Sequence, residues 1–481
     1  MSKRLQSLIN ARGPIKKIGV VGMGYVGIPA AVLFAGAAEF ESVLGFQRDT
    51  PSSGYKIAML NRGESPLKGE EPGLEELLSR VVRAGKFRCT SDFTRIAECD
   101  AVTLAIQTPF KDPKDLIPDY SALIEGLRAV GKNLSEGTLV VLESTVTPGT
   151  TERMARDVLE EESGLIAGED FALAHAPERV MVGRLLRNIR EHDRIVGGID
   201  DVSTRRAAEL YRPVLTTGTI IPMTATAAEV TKTAENAFRD LQIAAANQLA
   251  LHCEAMGVNV YDVRAVLWPG AGVGGHCLTK DSWHLERGAK VLGGDLWYPH
   301  GTESIFGVAR AINEFMPRHM VHLTCEGLKR AGKSPEDAKV ALLGWAFIQN
   351  SDDARNTPAE SYLAAMAKAG AEVRVHDPFV EDYPGIEIMH DLDAALVEAD
   401  AITIFTAHHH YATLNAGRVK ELSGEEHPVI VDGRNVIDPD AFIRAGFIYK
   451  GIGRGDKNNH PIAWSGSSIR DTPGTGQYSY V

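Results

Sequence analysis

Residues 270–283 read G-A-G-V-G-G-H-C-L-T-K-D-S-W. Four glycines stand before one cysteine, Cys277, and Lys280 and Asp281 follow it within four residues. A thiolate is a strong nucleophile, and a neighbouring cation favours that form. Glycines admit positive φ and let a backbone approach a ligand or another segment closely. Alone, the stretch also suits an inert buried thiol behind a Gly-rich turn, the common fate of a free cysteine. Upstream, Lys232, Asn236 and Arg239 recur at i, i+4 and i+7 within the Ala- and Leu-rich run 224–256. That spacing places all three on one face of a helix. Such a stripe is solvated by default, but on a helix buried between domains it needs partners. Thr226 and Glu229 predict a capping box at the start of this helix, and Gly257 predicts its stop.

A second constellation lies near the N-terminus. The apolar run 15–23 leads into Gly22-Met23-Gly24-Tyr25-Val26-Gly27 and then an Ala-rich stretch. Strand, G-x-G-x-x-G and helix in that order predict a dinucleotide site. The first glycine makes the turn, the second admits the pyrophosphate, and the third lets helix and strand approach. The helix N-terminus would hold the pyrophosphate. A second strand, 42–46, should end in the acid that binds the adenosine ribose; Gln47 stands there, followed by Arg48 and Asp49. Arg48 could meet a 2′-phosphate, as in NADP, or stack on adenine, and Asp49 could take the ribose. NAD is the expected cofactor and NADP the alternative.

The elements that position these residues alternate β with α. Strands are expected at 101–106, 138–142, 171–175 and 194–198. The first three run into Gln107-Thr108-Pro109, Glu143 to Gly149, and Ala176-Pro177-Glu178-Arg179-Val180. Ligands bind at that edge of an open α/β sheet. Thr108, Thr145 or Glu178 alone would be a cap or turn residue; three at one edge point to a site. Beyond a linker at 333–337, strands at 339–343, 373–376, 401–405 and 429–431 predict a second, smaller nucleotide-binding fold without the glycine fingerprint. His408, His409 and His410 are adjacent and cannot converge on one metal, so no metal site is expected. The fold class is thus α/β, with two Rossmann-like doubly wound domains joined by a central helical one. The expected domains are 1–215 for the dinucleotide, 216–330 with the long helix and Cys277, and 331–455 for the second α/β unit, before a flexible tail, 456–481.

Composition narrows the function classes. The 481 residues are 44% hydrophobic and 24% charged, ordinary for a soluble multidomain protein. A net charge of −12 argues against a nucleic-acid or anionic-membrane partner. Five scattered cysteines (89, 99, 253, 277 and 325) with no C-x-x-C suggest neither zinc nor disulfides and fit a reducing cytoplasm. No apolar run reaches membrane-spanning length, and the basic N-terminus lacks an apolar signal core.

Ordered motifs across residues 16–455 resemble the UDP-glucose/GDP-mannose dehydrogenase family: G-M-G-Y-V-G, Q-T-P, E-S-T-V-T-P-G-T, A-P-E-R-V, E-V-T-K-T-A-E-N-A-F-R, G-V-G-G-H-C-L-T-K-D and G-R-N-V-I-D. The resemblance implies oxidation of a nucleotide sugar's C6 hydroxymethyl to a carboxylate, with two NAD and a cysteine. By the same resemblance Cys277 is the nucleophile. Lys232 and Asn236 hold the oxyanion and the attacking water, and Asp281 organises that water. Thr145 and Glu178 stand at the nicotinamide and substrate. Gly22, Gly24, Tyr25, Val26, Gly27, Arg48, Thr108, Lys280 and Arg355 line the cofactor. Arg179, Val180, Arg239, Gly274, His276 and Arg434, with Lys232 and Asn236, contact the substrate. The sequence departs from the family at Gln47, at Val182 (where a second glutamate is usual) and at Ile348 (where a lysine is usual). Arg264 is the nearest counterpart of an arginine that the family donates across the subunit interface. His276 before the cysteine resembles the UDP-N-acetylhexosamine enzymes, so the expected substrates are UDP-N-acetylmannosamine, then UDP-N-acetylglucosamine, then UDP-glucose. The family assembles as dimers or larger, and residues 241–251 are expected to supply an apolar surface for that. Two rival readings are a silent UDP-sugar-binding protein and an NADP-linked two-electron reductase.

Overall fold

The computed structural model describes residues 3–454 except 68, 70, 113–116, 180–182, 264–268, 293–303 and 337. Val180, Val182, Arg264 and the tail 456–481 lie outside the described residues. In the first domain Lys17–Val21 is apolar beyond its first residue and pairs on both sides, with Ser42–Phe46 and with Ala101–Leu104. A parallel strand covered on both faces requires that composition. Eight strands stand in the order Ile220–Thr224, Arg194–Gly198, Ala172–His175, Leu139–Leu142, Ala101–Leu104, Lys17–Val21, Ser42–Phe46, Phe87–Thr90. Ile28, Phe34 and Leu78 belong to the apolar layer on one face. Leu127, Leu159 and Phe171 belong to that on the other. The strand order reverses between Lys17–Val21 and Ala101–Leu104, which opens a crevice at their C-terminal ends.

The expected alternation breaks at the last two strands. Arg194–Gly198 runs antiparallel to Ala172–His175, and Ile220–Thr224 runs parallel to Arg194–Gly198. The connection between residues 175 and 194 holds one seven-residue helix, Leu185–Glu191, and returns the chain at the edge it left. Arg194 therefore starts at the ligand edge, and the chain leaves Thr224 at the opposite one.

From there the helix Ala225–Ala255 runs back along the sheet for 31 residues. Lys232 and Asn236 stand seven and eleven residues into it, about 10 and about 16 Å along the axis. A five-residue strand is about 13–17 Å long, so these two side chains arrive where the parallel strands end. The helix is capped by Thr224, whose hydroxyl accepts from the Ala227 N–H at 3.2 Å. The predicted Thr226–Glu229 box does not form. Thr226 donates to Glu152 at 2.7 Å, and Glu229 accepts from the Gly149 and Thr151 N–H groups at 2.5 and 2.8 Å. The helix begins ahead of Thr226, and tertiary donors claim both side chains. Gly257, at φ +71°, follows the helix end as predicted.

Ile305–Arg330 packs along the central helix and covers the second sheet, burying Met316, Met320 and Leu323 among Leu342, Trp345 and Val431. That sheet is wholly parallel, in the order Ile388–Met389, Glu372–His376, Lys339–Leu343, Ala401–Ile404, Val429–Asp432, Ile448–Gly451. A buried polar chain joins the two helices: Arg310 pairs with Asp240 at 2.8 Å, Asn313 bonds Asp240 at 2.7 Å, and Asn247 bonds Asn313 at 2.9 Å. The Asn247 carboxamide oxygen accepts from the Gly270 N–H at 2.8 Å, which ties this chain to the start of the cysteine loop. Residues 241–251 do not form the expected apolar surface: apart from Ala245 they are buried or half-buried within the chain. The large exposed apolar side chains of these helices are Val230, Phe238, Ile305, Val308 and Phe315. Among the described residues, no helix is long and apolar enough to cross a membrane, and no cluster of metal-binding side chains occurs.

Candidate active site

The glycine turn separates two demands. A Cβ on Gly22 would lie 2.6 Å from the Ala105 carbonyl oxygen, and one on Gly27 would lie 1.9 Å from that of Gly22. Gly22 also sits at φ +98°. The fold itself requires these two glycines. A Cβ on Gly24 would meet nothing within 4 Å; that open backbone at the start of Gly27–Gly36 fits a pyrophosphate. Gln47, in the ribose-acid position, braces the turn: its side-chain oxygen accepts from the Met23 N–H at 3.1 Å. Lys56, which sequence reading missed, donates to the Met23 carbonyl at 3.2 Å. Arg48 is exposed and paired with Glu125 at 2.5 Å.

Tyr25 reaches out of the turn to the second sheet. Its hydroxyl donates to Asp352 at 2.5 Å, and the Arg355 guanidinium lies 5.2 Å from its ring centre. Burial, then the bond to Asp352, push the Tyr25 hydroxyl far above its usual range. Arg355 is held in turn by a fork on Asp353 at 2.8 and 2.5 Å. Asp352 and Asp353 were not singled out from the sequence; their only signal was two acids just ahead of Arg355.

At the neighbouring strand ends Thr108 donates to the Thr145 carbonyl at 2.5 Å. His284 fills the space behind them, fully buried, with Nδ1 3.0 Å from the Thr147 hydroxyl. Burial and the Lys280 charge push His284 well below the ordinary histidine range, so the ring is neutral. Sequence reading missed His284. It stands one turn beyond Lys280 on the helix Asp281–Leu292, a spacing that could have flagged it.

Cys277 is exposed, whereas the other four cysteines are buried or half-buried. Burial pushes Cys89 and Cys99 up to about 12. The Cys277 carbonyl accepts from the Lys280 and Asp281 N–H groups at 3.1 and 2.9 Å, so the cysteine opens the turn that feeds Asp281–Leu292. Asp281 is wholly buried. One of its oxygens accepts from Asn236 at 2.5 Å and the other from Lys280 at 2.9 Å. The central-helix stripe and the cysteine loop thus meet at one carboxylate. Lys232 is buried close to His175, which burial, Arg194 and Lys232 together push down to about 3. Arg239 is half-buried on the same helix. His276 is half-buried and neutral, pushed to about 3 by burial and then by Lys280 and Arg355.

Glu178 is buried and held by Arg194, and its second oxygen accepts from the Arg179 N–H at 2.8 Å. Arg179 pairs with Glu235 at 2.8 Å and donates to the Asp193 carbonyl. The cysteine-loop glycines pack against the second sheet's loops. A Cβ on Gly274 would lie 2.5 Å from Phe347 Cβ, one on Gly275 2.7 Å from the Phe347 ring, and one on Gly270 2.9 Å from Arg434. Asn356, at φ +51°, donates to the Gly275 carbonyl at 3.0 Å. These glycines let one backbone lie against another.

Family models agree with this architecture. Residues 16–215 match the NAD binding domain of the UDP-glucose/GDP-mannose dehydrogenase family, residues 226–305 its central domain, and residues 341–439 its UDP binding domain. The chain belongs to the UDP-glucose/GDP-mannose dehydrogenase family. It is 37% identical over 450 residues to a UDP-N-acetyl-D-mannosamine dehydrogenase of Pyrococcus horikoshii, covering 92% of this chain and 100% of that one. A solved NDP-N-acetyl-D-galactosaminuronic acid dehydrogenase from Methanosarcina mazei Go1 is 67% identical, with a TM-score of 0.82 over 96% of this chain and 99% of that one. The solved UDP-D-ManNAc dehydrogenase of Pyrococcus horikoshii is 35% identical, with a TM-score of 0.80 over 92% of this chain and 100% of that one. As a member of this dehydrogenase family, the chain is an NAD-dependent oxidoreductase of nucleotide sugars.

Proposed function

We propose that this chain oxidises C6 of a UDP-N-acetylhexosamine, UDP-N-acetylmannosamine first, to the uronic acid by a covalent route through Cys277. The observation that carries this is the exposed Cys277 one turn ahead of buried Asp281, whose oxygens are shared by Lys280 and Asn236. Oxidation of the alcohol gives an aldehyde. Cys277 Sγ adds to its carbonyl carbon, making a thiohemiacetal, and the buried Lys232 ammonium stabilises the oxygen that takes the charge. A second oxidation gives the thioester, and water aligned by Asn236 and Asp281 hydrolyses it to the acid and frees Cys277. Bound NAD, renewed once, would accept both electron pairs. Gly22, Gly24, Tyr25, Val26 and Gly27 would hold it, with Arg48, Thr108, Thr145, Lys280 and Arg355 around it. Glu178, Arg179, Val180, Arg239, Gly274, His276 and Arg434 would face the sugar nucleotide.

A second reading of the sugar is UDP-N-acetylgalactosamine, an epimer absent from the sequence-based expectations. The 67% identity to the NDP-N-acetyl-D-galactosaminuronic acid dehydrogenase of Methanosarcina mazei Go1 favours it. Five unpaired cysteines fit a reducing cytoplasm. Exposed Phe238, Ile305 and Phe315 on the two long helices support a homodimer or larger homo-oligomer. The test is to supply UDP-N-acetylmannosamine, -galactosamine, -glucosamine and UDP-glucose with NAD or NADP and count reduced cofactor per sugar. Two per sugar is expected; one would indicate a two-electron reductase, and none with tight UDP-sugar binding a silent binding protein. Cys277→Ser should stop the reaction at the aldehyde stage, and a wild-type rate in that variant would overturn the covalent route.

A further inference from the structure

One buried cation bridges two carboxylates at the edge of the first sheet. Arg194 opens the strand Arg194–Gly198, whose antiparallel direction places its first residue beyond the end of Ala172–His175, since His175 pairs with Gly197. The side chain is 5% exposed. One terminal nitrogen donates to Glu178; the other donates to Glu143 and to the Ala176 carbonyl, both at 2.9 Å. The guanidinium lies 4.1 Å from the centre of the Tyr211 ring, whose hydroxyl donates to Glu143 at 2.7 Å. Glu178 spends its other oxygen on the Arg179 N–H. The remaining charged or titratable neighbours come from the adjoining elements. His175 ends its strand, fully buried and neutral, with no hydrogen-bond partner among the described residues on either ring nitrogen, and Lys232 approaches it from the central helix. Arg179 itself turns away to Glu235 and the Asp193 carbonyl.

We infer that Arg194 is a positioning residue for Glu178: it fixes the direction of that carboxylate at the site edge. The inference rests on the reading of Glu178 as a substrate-side residue of the dehydrogenase. A guanidinium is permanently charged, and its planar fork can bind two carboxylates at once. A lysine is a single point and cannot hold both in the same directions. Burial raises Glu143 against the pull of Arg194. Tyr211 and Arg194 together hold Glu143 back from the site, so Glu178 is the carboxylate presented there.

The experiment uses the full chain with UDP-N-acetylmannosamine or UDP-N-acetylgalactosamine and NAD, following kcat and KM for the sugar. Arg194→Lys should keep KM for the sugar within about threefold and lose about 10- to 100-fold in kcat. Glu178→Asp, which withdraws the carboxylate from Arg194 by one methylene, should show the same split. Arg194→Lys with Glu178→Gln should be no slower than Glu178→Gln alone, because one residue acts through the other. An Arg194→Lys enzyme with the wild-type kcat, or one whose loss adds in full to that of Glu178→Gln, would overturn the inference. If Arg194→Lys does not fold, Glu178→Asp decides: a fall in kcat with KM within about threefold supports the role, and an unchanged kcat removes it. Reduced cofactor per sugar in the wild type, counted in the same assays, reports separately on the dehydrogenase reading.

Discussion

Asp281→Asn should reveal how much of the site depends on one buried charge. Asp281 is wholly buried, Lys280 nearly so, and they lie 2.9 Å apart. The other carboxylate oxygen takes the Asn236 amide at 2.5 Å. An asparagine offers one acceptor and one donor where two acceptors are needed. Whichever way it turns, an N–H₂ faces either the Lys280 ammonium or the Asn236 amide. The larger consequence is electrostatic, because Lys280 is left in a dry site without its counter-ion. Losing one partner of a buried pair costs about 3–5 kcal/mol, a sizeable share of the roughly 5–15 kcal/mol that holds a protein folded. Urea denaturation of the variant should show that loss. Lys280→Met combined with Asp281→Asn removes both charges and should recover at least about half of it, since no ion is left stranded. The double variant should still hydrolyse no thioester, because Asp281 is proposed to organise the water. A single variant within about 1 kcal/mol of wild type, or a double variant no better than the single, would refute the argument that the pair is held by its own charge balance.

Three further outcomes follow from other parts of the molecule. Burial raises Glu229 to about 7 from an ordinary 4.5. Between those values the folded chain holds a proton that the unfolded chain has released. Stability therefore falls as pH rises through that window, by about 3 kcal/mol in all; Glu229→Gln should flatten the slope in urea melts at a series of pH values, and an unchanged slope would assign it elsewhere. Glu125 neutralises Arg48 beside the expected ribose position. Glu125→Ala should raise kcat/KM for NADP relative to NAD by about tenfold, and a fixed ratio would place the 2′-hydroxyl away from Arg48. Gly24→Ala should leave the melting temperature unchanged and raise KM for NAD, because its Cβ points into open space. Gly27→Ala should instead destabilise the domain, since its Cβ would lie 1.9 Å from a carbonyl oxygen; equal behaviour of the two would contradict the division of labour in the turn.

Much of the architecture was legible because it rests on local rules. The fingerprint at residues 22–27, the polar loops after strands and the 3.6-residue spacing of Lys232, Asn236 and Arg239 need no tertiary knowledge. Errors arose where a distant group outbid a local one. Thr226 and Glu229 have the spacing of a capping box, yet Glu152, Gly149 and Thr151 claim them. The glycines before Cys277 let their backbone lie against Phe347 and Arg434, neighbours that no local rule names. Residues 241–251 look like an outer apolar face, but Ile305–Arg330 covers much of it.

By itself the sequence determined the kinds of chemistry present: a nucleophile near cations, a turn shaped for a dinucleotide, and helices and strands whose periods follow from residue type. Only the tertiary structure decided which charges meet. Strand direction is set by pairing partners far away in the chain, and the antiparallel Arg194–Gly198 brings Arg194 to Glu178 and Glu143. Helix length against strand length carries Asn236 to Asp281, 45 residues on. Burial, a property of the whole packed chain, then shifts the groups it encloses, raising Glu143 and Glu229 and lowering His175.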